Sequence, residues 1–253
     1  MGVHSGKNIW VTGAGTGIGE ATALRLAADG ATVVLTGRRR EPLEEVAGRI
    51  RAAGGTAHVQ PADLTNPEQV EGVVAWIGRN LGRLDVLVSN AGVNVVEREW
   101  SRISPESIKA LIDGNLTAAF YCSRAVLPMM RAQGGGLLVH TASMAGRNVG
   151  GMSGPGYTAA KHGVVAMSHS INMAECMNGI RSTVFCPGEV NTPILKKRPN
   201  PLSQEDLDRM LQPEHCADLI SYICGLPPQV CMNEVQFTPT WNRGYVANLQ
   251  RRN

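Results

Sequence analysis

The chain has 253 residues, 43% of them hydrophobic and 18% charged, with a formal net charge of +3. That balance fits a soluble globule with a substantial core, and no apolar run nears the roughly 18 residues that a membrane span needs. Basic residues are scattered apart from Arg38-Arg39-Arg40 and Lys196-Lys197-Arg198, which argues against a nucleic-acid-binding stripe. Met1 to Lys7 is short and polar and runs straight into a strand, unlike a signal peptide. Cys122, Cys176, Cys186, Cys216, Cys224 and Cys231 contain no Cys-x-x-Cys pair and read as buried, reduced thiols of a cytoplasmic protein. The six histidines show no ligand spacing, so no metal is assigned.

Strand-like runs fall at Asn8–Thr12, Thr32–Thr36, Ala57–Gln60, Val86–Ser89, Leu137–Thr141, Arg181–Cys186 and Glu234–Phe237. Helical periods fall between them at Gly17–Asp29, Pro42–Ala53, Pro67–Leu81, Pro105–Arg131, Gly156–Met177 and Pro213–Gly225. Strand–helix alternation predicts a parallel sheet covered on both faces. With right-handed crossovers the fold class is α/β: a doubly wound, Rossmann-like sheet of about seven strands, in one domain over residues 1–253. Its binding crevice belongs at the carboxyl ends of the strands. Glu189–Gln212, rich in Pro and Lys/Arg, reads as an irregular substrate lid.

Chemistry-bearing residues collect at those strand ends. Thr12-Gly13-Ala14-Gly15-Thr16-Gly17-Ile18-Gly19 follows the first strand and opens the first helix. Glycines there permit a sharp turn and let a pyrophosphate approach the helix amides. No register gives the Gly-x-Gly-x-x-Gly fingerprint. The second strand ends in Thr36-Gly37-Arg38-Arg39 with no acidic residue. A reader of NAD would place a carboxylate there for the ribose hydroxyls, whereas cations suit the 2′-phosphate of NADP. Further on, Tyr157 and Lys161 stand four apart on a helix and share one face. A cation beside a phenol favours the phenolate, which makes a proton donor and acceptor near neutral pH.

Taken together, these motifs resemble those of the short-chain dehydrogenase/reductase family over nearly the whole chain. The glycine turn resembles the family's Thr-Gly-x-x-x-Gly-Ile-Gly, and Ser89-Asn90-Ala91-Gly92 resembles its Asn-Asn-Ala-Gly. The resemblance implies cofactor contacts at Gly13, Thr16, Gly17, Ile18, Gly19, Arg38, Arg39, Asp63, Leu64, Asn90, Ala91, Gly92, Tyr157, Lys161, Pro187, Gly188, Val190 and Thr192. It implies a catalytic set of Asn115, Ser143, Tyr157 and Lys161. In it Tyr157 passes the proton, Ser143 holds the carbonyl oxygen, Lys161 binds the nicotinamide ribose and lowers the tyrosine pKa, and Asn115 anchors a water. The tail departs from the family's Gly-Gly-rich turn, running Phe237-Thr238-Pro239-Thr240-Trp241-Asn242-Arg243-Gly244-Tyr245. Leu226-Pro227-Pro228-Gln229 and Asn233-Glu234-Val235 are closer to hydroxy-acid and serine-oxidising relatives.

The function expected is an NADP(H)-dependent interconversion of a secondary alcohol and a ketone, with NAD(H) as the alternative cofactor. Alternatives are oxidation of a 3-hydroxy acid or hydroxy amino acid, a dehydratase or epimerase using the same tyrosine, and a dinucleotide-sensing regulator without catalysis. Val93, Val95, Met144, Val149, Met152, Ile194 and Leu195 would favour a substrate apolar around its carbonyl. Arg147 either meets a substrate carboxylate or points to solvent or a neighbouring subunit. Trp241 and Tyr245 either line a subunit contact or cover the core. By resemblance the chain forms a homotetramer through the helices around Asn115 and Tyr157, burying outward residues such as Phe120 and Val164.

Overall fold

The structure, a computed structural model, describes residues 2–150, 152–197 and 202–250. Seven strands, β1 (Asn8–Thr12), β2 (Thr32–Thr36), β3 (Thr56–Val59), β4 (Val86–Ser89), β5 (Gly136–Thr141), β6 (Ile180–Pro187) and β7 (Glu234–Phe237), form one sheet. Its order is β3-β2-β1-β4-β5-β6-β7 and every neighbouring pair is parallel. The chain winds outward one way from β1 and then returns to lie beside it as β4, so the order reverses between these two strands. In open α/β sheets that switch point opens a crevice for ligands.

Alternate side chains of each strand serve opposite faces. Ile9, Val11, Val33, Leu35 and Phe185 pack on one side with Leu26 of α1 (Gly17–Ala28), Val46 of α2 (Arg40–Ala52) and Ile220 of α8 (Pro213–Gly225). Trp10, Val34, Leu87 and Leu138 pack on the other. There they meet Ile77 of α3 (Pro67–Leu81), Val126 of α5 (Ala118–Ala132) and Ile171 of α6 (Pro155–Glu175). Burial on both faces is why these strands read as unbroken apolar runs. The indole N–H of the wholly buried Trp10 donates to Thr36 Oγ1 at 2.8 Å, which removes the penalty of an unpaired polar atom in the core.

Three sequence expectations require correction, the first being burial of all six cysteines, since Cys176 and Cys231 are exposed. The helix expected over Pro105–Arg131 is broken into α4 (Pro105–Ile112) and α5 by a π-turn over Asp113–Thr117. The Asn115 amide donates to the carbonyls of Leu111 (2.8 Å) and Val93 (2.9 Å), competing with the regular helix ladder. The segment Glu189–Gln212 is not wholly irregular: a 3-10 turn spans Pro193–Lys197 and a short helix α7 spans Gln204–Asp208. Ser203 and Asp206 cap α7 reciprocally. Residues 198–201 of that segment, Arg198 among them, lie outside the described residues. A further helix, α9 (Arg243–Gln250), follows β7.

Candidate active site

The crevice at the β1/β4 switch point is built around Thr12. Its hydroxyl oxygen accepts from the amides of Asn90 (2.9 Å) and Ala91 (3.1 Å). The Asn90 side chain donates back to the Thr12 carbonyl at 3.3 Å. One strand-end threonine thus joins the glycine turn to Asn90-Ala91-Gly92. The sequence carried Thr12 only as the first letter of a motif and gave no hint of this role.

Between these loops lies a cradle fitted to a dinucleotide. Gly13 and Gly17 adopt φ of +63° and +61°, backbone conformations that favour glycine. A Cβ on Gly13 would lie 2.9 Å from Ala91 Cα, and one on Gly17 would lie 3.1 Å from Thr192 Cγ2. Gly19 serves packing instead, since a Cβ there would strike the Gly13 carbonyl oxygen at 2.2 Å. Among the described residues no side chain caps the N-terminus of α1, which leaves first-turn amides for an anionic ligand. Two adjoining cavities, of about 1060 and 640 Å³, share Gly13, Thr16, Ala91, Gly92 and Asn94. The smaller runs past Gly37, Arg38, Arg39, Asp63 and Leu64. Arg38 and Arg39 are exposed at its edge. Asp63 is pinned by the Thr65 amide and hydroxyl at 3.0 and 2.8 Å, and these bonds hold its carboxyl below the usual range, with the Arg38 charge contributing. Arg40 instead pairs with Glu44 on the surface of α2.

The larger cavity gathers the remaining expected residues. Gly13, Thr16, Gly17, Ile18, Asn90, Ala91 and Gly92 border it on one side, and Pro187, Gly188, Val190 and Thr192 line it from the end of β6 and the segment beyond. Asn115, Ser143, Tyr157 and Lys161 open into the same space. Ser143 caps the turn after β5 by accepting from the Ala145 amide at 3.1 Å and hydrogen-bonds Tyr157. The Lys161 ammonium donates to the Thr141 carbonyl at 2.7 Å and lies 5.6 Å from the centre of the Tyr157 ring. Asn115 and Lys161 converge below Gly92, where an added Cβ would meet Asn115 Oδ1 at 2.8 Å and Lys161 Nζ at 3.5 Å.

Burial governs the titration of these groups. It pushes the Tyr157 hydroxyl up to about 12, opposed by the Ser143 hydrogen bond and the Arg98 charge. It holds Lys161 down to about 8. Ser143 and Arg98 are the groups that oppose burial at Tyr157, while the hydrogen bond of Lys161 is directed to the Thr141 backbone.

Other expectations separate. Met144, Val149, Met152, Ile194 and Leu195 line the larger cavity, whereas Val93 and Val95 line the smaller one. The Val93 amide donates to Asn115 Oδ1 at 3.2 Å, which ties its loop to the π-turn. Arg147 pairs with Glu234 of β7 at 2.8 Å and does not line the cavity. Val164 faces the core of its own chain, while Phe120 is half-exposed. Tyr245 borders the larger cavity, and Trp241 stacks beneath the Arg209 guanidinium at 4.4 Å. Arg243 grips Glu189 with two bonds of 2.9 and 2.8 Å, tying the tail across the mouth. Asn94 and Arg98, both buried, also line the cavity and carried no sequence signal.

A doubly wound parallel sheet with a dinucleotide cradle at its switch point defines a Rossmann-like nucleotide-binding oxidoreductase. The profile of the short chain dehydrogenases matches residues 7–202, and the chain belongs to the short-chain dehydrogenase/reductase family of NAD(P)-dependent oxidoreductases. It is 34% identical over 215 residues to the cyclohexanol dehydrogenase of Acinetobacter sp. (strain SE19), covering 84% of this chain and 85% of that protein. It is 34% identical over 197 residues to the 3beta-hydroxysteroid dehydrogenase of Mediterraneibacter gnavus, covering 78% and 71%. A metagenomic short-chain oxidoreductase solved in complex with NADP superposes with a TM-score of 0.82 at 32% identity, covering 94% and 99%.

Proposed function

We propose that this protein interconverts a secondary alcohol and a ketone with NADP(H), using Tyr157 as the acid and base. The observation that carries the reading is one cavity bordered by the glycine turn on one side and by Ser143, Tyr157 and Lys161 on the other. When bound, the nicotinamide supplies or accepts the hydride. Reduction of a carbonyl builds negative charge on oxygen, so the protein must aim donors there and deliver a proton. The Tyr157 hydroxyl, kept protonated by burial, is that proton source, and its bond to Ser143 brings a second hydroxyl to the same place. Lys161 and Asn115 hold the floor below Gly92, and Lys161 holds the ribose.

Uncapped α1 amides and the glycines beside them suit the pyrophosphate, Asp63 and Leu64 the adenine, and Arg38 and Arg39 the 2′-phosphate. The relative crystallised with NADP agrees with that preference. An alcohol substrate is in keeping with the relatives named for cyclohexanol and a 3β-hydroxysteroid. The whole chain acts as one domain, with residues 189–212 as the lid over the substrate. A homotetramer is proposed through the outer faces of α5 and α6, where Phe120 and Met173 are exposed, as is Met177 just beyond α6. A panel of ketones and alcohols, read by absorbance of the reduced nicotinamide with both cofactors, tests the reading. Turnover of none of them with either cofactor would remove it.

A further inference from the structure

Among the described residues lining the larger cavity, the charged side chains are Arg98, Lys161 and Glu189. They stand at different places in it. Lys161 donates to Thr141 and faces the floor beneath Gly92, on the cofactor side. Glu189, beyond β6, is gripped by both arms of Arg243 at the mouth. Arg98 lies in the loop that follows β4, is only 6% exposed, and is near enough to Tyr157 for its charge to favour the phenolate.

Arg98 is also firmly seated. Its Nη1 donates to the Met152 carbonyl at 3.4 Å. A Cβ on Gly154 would lie 2.7 Å from both the Arg98 Cβ and its carbonyl oxygen, so that glycine makes room for the arginine. Gly154 has φ of +78°, caps the first turn of α6, and stands three residues before Tyr157. The start of α6 and the loop after β4 therefore hold Arg98 in place, near enough to Tyr157 for its charge to act there.

The same cavity presents Met144, Val149, Met152, Ile194 and Leu195 to a substrate. A cation as buried as Arg98 interacts with an anion more strongly than it would in water. The planar fork of a guanidinium matches a carboxylate in two parallel bonds, which an ammonium cannot do. We propose that Arg98 receives a carboxylate of the substrate, so that the substrate is an oxo acid, or in reverse a hydroxy acid, with an apolar body. The assignment rests on the oxidoreductase reading and narrows its substrate class. It also moves the anion site from Arg147, which Glu234 occupies, to a residue of the β4 loop.

The test compares kcat/KM for oxo acids and their methyl esters in the wild type, Arg98→Gln and Arg98→Lys. The wild type should prefer the acids, and Arg98→Gln should lower the acid-to-ester ratio by about 10- to 100-fold, mostly through KM. Arg98→Lys should restore part of it. A ratio unchanged in Arg98→Gln, or a wild type indifferent to the ester, would overturn the proposal while neutral-ketone turnover leaves the oxidoreductase reading standing. Turnover of no carbonyl compound would remove both. A second measurement avoids any folding defect of the variants: thermal unfolding of the wild type with NADP and either cyclohexanecarboxylate or cyclohexanecarboxamide. The carboxylate should raise the midpoint more than the amide, and equal shifts would overturn the assignment.

Discussion

The Lys161 ammonium lies over the face of Tyr157, 5.6 Å from the ring centre, while its hydrogen bond goes to the Thr141 carbonyl at 2.7 Å. The two side chains share a helix face but answer to different partners, Tyr157 to Ser143 and Lys161 to the end of β5. Their substitutions should therefore differ. Tyr157→Phe keeps the ring and removes the hydroxyl, so turnover should fall by ~10²–10⁴-fold with cofactor affinity nearly intact. Lys161→Ala should weaken both. Steady-state kinetics with cofactor titration would decide, and Tyr157→Phe activity within about threefold of wild type would take Tyr157 out of its role.

Cofactor choice should turn on Arg38. A charge-assisted bond contributes about 1.5–3 kcal/mol, enough for a roughly tenfold to hundredfold preference. Arg38→Asp removes a phosphate partner and adds a carboxylate that accepts ribose hydroxyls, so the kcat/KM ratio should move from NADP(H) toward NAD(H). An unchanged ratio would hand the role to Arg39.

Stability should depend on Lys161 in alkali. Burial lowers its pKa from 10.5 to about 8, so between these values the unfolded chain holds a proton that the folded chain has released. Stability from this group therefore rises with pH across the window, by on the order of 3 kcal/mol at full extent. Urea unfolding of wild type and Lys161→Met at several pH values would show the rise in wild type alone. Parallel curves would refute it.

His140 makes the corresponding prediction in acid. Both its ring nitrogens are buried without a hydrogen-bond partner among the described residues, and burial pushes its pKa from 6.5 down to about 3. Below pH 6.5 the unfolded chain takes up a proton that the folded chain refuses, so stability from this group is lost as pH falls toward 3. His140→Leu should leave stability at neutral pH within about 1 kcal/mol and flatten that acid slope. An equal slope in both proteins would contradict this.

Gly92→Ala should impair chemistry more than folding. The new methyl would press on Asn115 Oδ1 at 2.8 Å and approach Lys161 Nζ at 3.5 Å. Small displacements of positioning groups can cost about 10²-fold in rate. Loss of that order, with the thermal midpoint little changed, is the expected result, and full activity would show that the floor beneath Gly92 tolerates movement.

The central strands β1, β2, β4 and β5 were legible because they are buried on both faces and read as apolar runs, whereas the edge strands β3 and β7 are only partly buried. The glycine turn, Asn90-Ala91-Gly92 and Pro187-Gly188 were legible because each sits at a strand's carboxyl end, and Tyr157 and Lys161 because four residues apart on α6 put them on one face. What could not be read depends on distant partners. Arg147 looks the same in sequence whether it meets a substrate or Glu234. Asn115 breaks its helix only because the Val93 loop offers it a carbonyl and an amide. Arg98 and the tail beyond β7 have no local pattern at all, since their places follow from Gly154 and Glu189.

The π-turn at Asp113–Thr117 also bears on how such a protein could be stabilised. It contains one residue more than the α-helix it interrupts. Removing one residue there would let α4 and α5 run on as a single regular rod, with every backbone bond restored. The same deletion would leave the faces of α4 and α5 where they are and redraw only the turn between them, taking the Asn115 amide from the Val93 carbonyl and from the floor below Gly92. Selection for heat resistance alone should therefore favour shortened variants that fold well and no longer catalyse.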